Sequence, residues 1–584
     1  MKKGTFWILS FLLVLSLMLS ACSEVAPGEQ EEEEEEEVTG APQYGGTLNY
    51  GRGAMIAEDI EGWDPMCGWG GAGATMAPYL EGLFAGDASK GQTGTKEHTF
   101  SGRYIPPEVT RGELLESWEF SADSSRLIFH VRPGVYWQGK SGVMEARELT
   151  AADVAFNLMR RIDSPTMGVA VSPELWEWID SVTATDKYTV TLELNGIYVD
   201  WAMLLGWGAY TPMIPPELIE AGIDDWRNAV GTGPFMLTDY LSGSYFEFDR
   251  NPNYWDTTII DGKEYQLPFI DKLIYPIIPD QAAQVAALRT GKIDTWLWVP
   301  WQFKDTLAGT NPELRVWERE AWGHYEIHLR MDTPPFDIKD VRQAMSMAID
   351  RETIIDTLYG GYGILDNFYY AKSWGEGVFT PMEKQPQAVQ AAYEYNPEEA
   401  RELLASAGFP DGFESPITLN FCNTPLEKTD IASLVKDNFA AIGIEVELLP
   451  HDQATDWGIV SSKSHEYMFL REGSAATPAH GLYSDYLPGA AENLGIVDDP
   501  VLNDMLDRYL LEADVDKSTA LAKEINNYLI GNLITLYLPA PNTFSFAHPW
   551  VMNYEGEETT KYYSSINIIT RIWLDQVLKE EMGY

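Results

Sequence analysis

The sequence predicts an α/β protein of two or three lobes, in which mixed sheets are flanked by helices. At 584 residues the chain is too long to close over a single core. Segments that alternate every second residue recur between segments of helical spacing with capping residues, the β-α-β rhythm of helix-covered sheets. Hydrophobic residues make up 45% of the chain, so these segments have the material to build cores.

Taken in order, Tyr44-Gly45-Gly46-Thr47-Leu48-Asn49-Tyr50 is a short strand after a glycine turn. Leu127, Phe129 and Val131 alternate with Ile128, His130 and Arg132 and predict a strand. Thr150-Ala151-Ala152-Asp153 is a capping box that launches a helix carrying Val154, Leu158 and Arg161. Thr189 to Leu194 alternates again, and Pro212, Pro215 and Pro216 then break regular structure. From Val230 to Trp255, Gly231, Gly233 and Pro234 bend the backbone before a hairpin. Phe235, Leu237, Tyr245 and Phe248 are spaced for two antiparallel strands, with Ser242-Gly243-Ser244 as the turn and Pro252 as the break. Asp280 caps a helix through Leu288, Gly291 ends it, and Ile293 to Trp296 form the next strand.

Tyr325 to Leu329 alternates as a strand, and Pro334-Pro335-Phe336 turns the chain. Asp340 is the expected cap of a single helix running to Tyr359, with Val341, Ala344, Met345, Ala348 and Ile349 as its apolar stripe. Asn396-Pro397-Glu398-Glu399 combines a cap, a proline at the first helical position and early acid. Ile442 to Leu448 reads as a helix end passing into a strand. Helices near Val501 to Glu512 and Ser518 to Ile530 lead to a strand over Thr535 to Leu538.

The formal net charge of −49 disfavours nucleic acid, whose phosphates need Lys and Arg, and fits a soluble surface. At the N-terminus, Lys2 and Lys3 precede an apolar run, Phe6 to Leu19, too short to span a bilayer as a folded helix. It ends in Leu19-Ser20-Ala21-Cys22, which resembles a bacterial lipobox. That resemblance implies a signal peptide over residues 1–21 and a lipid on Cys22 that anchors the protein without a transmembrane segment. The run Glu31 to Glu37 repels itself and extends the chain, so residues 22–43 read as an acidic, disordered tether. Cys67 and Cys422 lie far apart and read as free thiols.

Candidate chemistry is sparse. Gly134-Val135-Tyr136-Trp137-Gln138-Gly139-Lys140-Ser141 fits a phosphate-loop pattern, but the next helix starts only after Thr150, and two aromatics would crowd the cradle. His324, Glu326 and His328 share one face of a strand without a further metal ligand nearby. No nucleophile elbow and no H-E-x-x-H is present. The reading is therefore not an enzyme, with no catalytic residue, metal or cofactor. Aromatics reach 12%, and Trp296, Trp298 and Trp301 crowd one segment. Ligand clefts are lined by such residues.

Several motifs resemble the family 5 extracellular solute-binding proteins, the peptide- and oligopeptide-type receptors of ABC importers. These are Gly231-Thr232-Gly233-Pro234-Phe235 followed by Arg250-Asn251-Pro252-Asn253-Tyr254-Trp255, Trp63-Asp64-Pro65, Glu81-Gly82-Leu83, the Gly112 to Arg161 segment, and Pro334 to Glu352. The match runs in order through nearly the whole mature chain. It implies a two-lobed periplasmic-binding-protein-like fold of class II, large type, with a hinge between lobes. Lobe I would comprise 44–317 plus 540–584, with an extra subdomain at about 76–184, and lobe II would comprise 318–539.

The implied function is an extracytoplasmic receptor that binds an oligopeptide or similar small solute between the lobes and delivers it to membrane permease subunits. It would act as a lipid-anchored monomer at the periplasmic or outer face of the cell membrane. The aromatic and charged residues placed at the implied cleft are Trp69, Trp207, Tyr210, Trp298, Trp322, Tyr325, Phe469, Arg471 and Glu472. Peptide binders of the family often carry W-x-x-D-x-x-D-P where this chain has Tyr467 to Gly473, so Arg471 as a carboxylate clamp or Glu472 as an amine partner would replace that aspartate. The alternatives are a secreted hydrolase of peptides or glycans, and a same-scaffold receptor for nickel, haem or sugar.

Overall fold

Three large sheets packed on apolar cores order the chain. The computed structural model describes residues 40–52, 60, 62–66, 75–102, 104–163, 176–207, 212–321, 323–365, 374, 377–473, 477–490, 492–561 and 564–584. The expected signal peptide, Cys22, most of the expected tether, Cys67, Trp69, Tyr210 and Trp322 lie outside these residues. Gln43–Tyr584 pack as one compact unit.

The largest sheet has seven strands in the order Phe235–Leu241, Tyr245–Arg250, Lys272–Pro276, Thr47–Gly51, Thr295–Pro300, Thr543–Ala547 and Arg315–Arg319. Thr47–Gly51 runs parallel to both neighbours, and the other pairs are antiparallel. Leu48, Phe235, Phe246 and Trp550 fill one core, while Trp296, Phe544, Phe546 and Leu288 fill another.

A five-stranded mixed sheet has the order Val446–His451, Ile417–Cys422, Met468–Gly473, His324–Leu329 and Thr535–Leu538. The helices Lys339–Ala348 and Glu427–Ala440 bury Met345, Val435 and Phe439 in its core. The third sheet is a four-stranded antiparallel one: Leu115–Phe120, Arg126–Val131, Thr189–Leu194 and Ile179–Ala184. Val154 and Leu158 of the helix Ala151–Asp163 pack into its core.

The chain passes twice, side by side, between the seven- and five-stranded sheets. Arg315–Arg319 leads into His324–Leu329, and Thr535–Leu538 leads back into Thr543–Ala547. Arg319 faces Thr543 at one end of this double crossing, and Tyr325 faces Leu538 at the other.

The hairpin motif has a packing reason. A Cβ on Gly231 would stand 1.7 Å from the Tyr79 carbonyl oxygen, so only glycine fits. Asn251 Nδ2 donates to the Gly233 carbonyl at 2.9 Å, which ties the end of the hairpin back to its start. Tyr254 Oη and Trp255 Nε1 then donate to Glu81 at 3.1 and 3.0 Å, so these motif segments lock together.

Burial, helped by the neighbouring Glu113, pushes the Glu81 carboxyl up to about 8 from an ordinary 4.5. Between those values the folded chain keeps a proton that the unfolded chain has lost, so stability falls as pH rises. Urea unfolding midpoints are therefore expected to drop between about pH 5 and pH 8, and Glu81→Gln to flatten the drop.

One helix differs from expectation. Lys339–Ala348 and Arg351–Leu358 are separate helices, broken at Ile349, whose backbone is extended (φ −80°, ψ 115°). Ile338, not Asp340, is the first N-cap, and Asp340 lies in the first turn. Asp350 is the cause of the break: its Oδ1 accepts from the Thr353 amide at 2.9 Å, a cap stronger than its place inside a helix. The turn leaves Arg351 buried, donating to the carbonyls of Ser346 and Tyr537.

In the phosphate-loop-like segment, Tyr136–Trp137 pairs with Arg147–Glu148, Lys140 bridges to Met144, and Lys140 Nζ donates to the Ala229 carbonyl. It is a hairpin, not a phosphate cradle.

Candidate functional site

In open α/β sheets ligands bind beyond the carboxyl ends of the strands. At that end of Thr47–Gly51 stands Arg52, and beside it is Trp298, near the end of Thr295–Pro300. Trp298 has a left-handed backbone (φ 56°), at a bulge where pairing with Thr543–Ala547 shifts between Trp296 and Val299. Such strain in a bulky residue concentrates at binding sites. The Arg52 guanidinium lies 5.2 Å from the Trp298 ring, whose Nε1 donates to the buried Glu558 at 3.1 Å.

On the five-stranded sheet, strand alternation puts His324, Glu326 and His328 on one face. Glu326 lies opposite Arg471 on one neighbouring strand and Tyr537 on the other. Both imidazole Nε2 atoms approach Glu326 at 3.0 Å. Since a carboxylate only accepts, both Nε2 atoms donate. Burial alone would raise the Glu326 carboxyl, but His328 and His324 outweigh it and hold it well below the carboxylate range.

Arg471 Nη2 pairs with Glu492 at 2.7 Å, and Nη1 lies 4.0 Å from Asp485. Arg471 keeps Glu492 low, whereas burial pushes Asp485 well up. The helix Pro478–Tyr486 is largely buried, and Tyr486 Oη meets Thr535 Oγ1 at 3.1 Å and Tyr537 Oη at 3.2 Å. This is a buried polar network in which Arg471 Nη1 makes no hydrogen bond to a described residue. Among the described residues no group of three His, Cys, Asp or Glu side chains is placed to hold a metal ion.

The same helix meets the segment that follows the four-stranded sheet. Its cap, Thr477, accepts from the His480 amide at 3.1 Å and donates to Asp200 Oδ2 at 2.5 Å. Burial pushes Asp200 up to about 7. Val199 donates its amide to the Leu510 carbonyl, and Tyr198 lies 6.3 Å from Tyr483 between ring centroids.

The residues anticipated from sequence fall in different surroundings. Trp207 follows the helix Trp201–Gly206 and is buried in the core of the four-stranded sheet. Tyr325 turns to the other face of its strand, where its hydroxyl donates to Glu427, whose carboxyl burial raises. Phe469 packs with Val460 and Leu494, while Glu472 is exposed. Arg471 and Trp298 are the two that sit in charged networks. Arg52, Asp200, Asp485 and Glu492 had no sequence signal, because their partners are distant in the chain. Thr477-Pro478 did have one, the cap followed by proline that opens a helix.

The family profile described as "Bacterial extracellular solute-binding proteins, family 5 Middle" matches residues 110–493, more than half of the chain. The heme-binding protein A of Haemophilus influenzae is 27% identical over 361 residues, 58% of this chain and 62% of that protein. The dipeptide-binding protein of Escherichia coli is 26% identical over 376 residues, 60% of this chain and 64% of that protein. These alignments thus span less than two thirds of the relatives' own lengths.

The fold is similar to that of DppA from Helicobacter pylori in complex with the peptide STSA, with a TM-score of 0.70 at 22% identity, covering 91% of this chain and 99% of that one. It is also similar to AppA from Bacillus subtilis in complex with a nonapeptide, with a TM-score of 0.67 at 19% identity, covering 92% and 100%. Matched in profile across most of its length and in fold over nearly all of it, the chain belongs to family 5 of the bacterial extracellular solute-binding proteins.

Proposed function

We propose that this chain is the extracytoplasmic receptor of an ABC importer, and that it binds a short peptide between its seven- and five-stranded sheets. The observation that carries the reading is the double crossing between those sheets. Two adjacent backbone passes are few enough to bend as a hinge, and in this reading Arg52 and Trp298 stand on one side of the cleft and the Arg471 network on the other. Residues 44–317 with 540–584 then form one lobe and 318–539 the other. A solute that touches both lobes favours the closed form by its difference in affinity for the two states. No bond is made or broken.

Peptide is the favoured solute class because dipeptide- and oligopeptide-binding proteins stand among the relatives and the structural neighbours. Lipid on Cys22 anchors the receptor, the glutamate tether holds it off the membrane, and the closed monomer presents itself to permease subunits.

A pool of di- to hexapeptides is expected to raise the melting temperature, equivalent to about 2.7 kcal/mol at a hundredfold excess over Kd. It is also expected to shift tryptophan emission. No response to peptides, with a response to haem, nickel chelates or sugars, would reassign the solute. No response to any of them would overturn the receptor reading.

A further inference from the structure

Buried donors are nearly always paired, because an unpaired one loses its bond to water for nothing. Four unpaired ones belong to the core where the four-stranded sheet's surroundings meet the Pro478–Tyr486 helix. They are Trp176 Nε1, Trp178 Nε1, Tyr198 Oη and Tyr483 Oη, on side chains of residues that are each more than nine-tenths buried. All four residues belong to one core cluster. Trp178 stacks on Tyr198 with centroids 6.3 Å apart, and Tyr198 lies 6.3 Å from Tyr483. The Arg161 guanidinium stands 6.0 Å from the centre of the Trp176 ring.

We propose that this contact is a solute subsite, completed by a carboxylate whose oxygens accept from Trp176, Trp178, Tyr198 and Tyr483 and face the Arg161 charge. The chemistry selects an acceptor. Indole N–H groups only donate, phenols donate readily, and a guanidinium attracts negative charge. An ammonium or amide donor would leave the indoles unanswered. The neighbouring acid, Asp200, is already engaged with Thr477. The subsite rests on the receptor reading, since the groups come from both sides of a contact that the closing of a cleft would assemble. It is separate from the Glu326 network, where both imidazoles already donate to Glu326.

The test is calorimetric titration of the ligand-stripped mature chain with trialanine, its C-terminal amide, and succinate. Trialanine is expected to bind at least tenfold tighter than its amide, and Tyr198→Phe/Tyr483→Phe to reduce that preference to within twofold. Trp178→Phe, which keeps an aromatic face and removes one donor, is expected to reduce it in the same direction. Equal binding of acid and amide to the wild type would overturn the subsite while leaving the receptor reading standing. So would a preference that survives in the variants. A double variant that is more stable yet binds unchanged would mark the hydroxyls as packing remnants. No binding of any of the three probes would overturn the subsite, with the receptor reading then decided by the wider thermal screen.

Discussion

Replacing Lys561 by methionine is expected to lower the free energy of unfolding by about 3–5 kcal/mol, the range for stripping one partner from a buried ion pair. Lys561 Nζ sits 2.6 and 2.7 Å from the two carboxylate oxygens of Glu113, and both residues are almost wholly buried. Glu113 also accepts from the Gly82 amide at 2.8 Å and from Asn567 Nδ2 at 3.1 Å. These neutral donors do not balance a charge. The methionine variant therefore leaves a bare carboxylate in an apolar setting. Adding Glu113→Gln removes that charge, so the double variant is expected to recover more than half of the loss. Urea unfolding followed by tryptophan emission reads both. A loss below about 1 kcal/mol in the single variant would mean that the pair is worth no more than an exposed one.

That pair also shows where sequence reading ends. The glycines before Phe235 and the break at Pro252 were legible from local rules about turns and strands, and Glu81-Gly82-Leu83 and Asn253-Tyr254-Trp255 through their resemblance to the family. Their mutual contact was not, since Tyr79 and Gly231, or Glu81 and Trp255, meet only through the fold. Strand alternation put His324, Glu326 and His328 on one face, yet nothing local said that Glu326 would answer both imidazoles. Arg471 stood out only as a carboxylate clamp where the chain departs from the family's W-x-x-D-x-x-D-P stretch, and its partners Glu492 and Asp485 come from segments without charge periodicity. The helix over Val341 to Tyr359 was overextended because its apolar stripe continues through Asp350, where a cap prevails over the stripe. Periodicity and caps reveal elements; pairings of buried charges depend on topology.

Arg471 carries the second large effect. Arg471→Met is expected to lose about 3–5 kcal/mol in the absence of any solute, because Glu492 and Glu326 keep their charges beside a vacated cation. Arg471→Lys is expected to restore only part of this, since a single ammonium does not reproduce the planar fork that reaches toward both Glu492 and Asp485. The pH dependence has a definite sign. Arg471 depresses the Glu492 carboxyl, so this pair's stabilisation is present above the ordinary glutamate range and is lost as pH falls through the lowered folded-state value. In Arg471→Met that depression is gone, so this acid-linked loss is expected to vanish: the variant is less stable at neutral pH, its stability falls less steeply with acid, and the two proteins converge as pH drops. The alternative role, a clamp that grips solute from an otherwise indifferent position, predicts the opposite pattern: unchanged unfolding of the empty protein and a vanished thermal shift with peptide. Comparing the empty and peptide-saturated proteins across these variants separates an arginine that builds the lobe from one that holds the cargo.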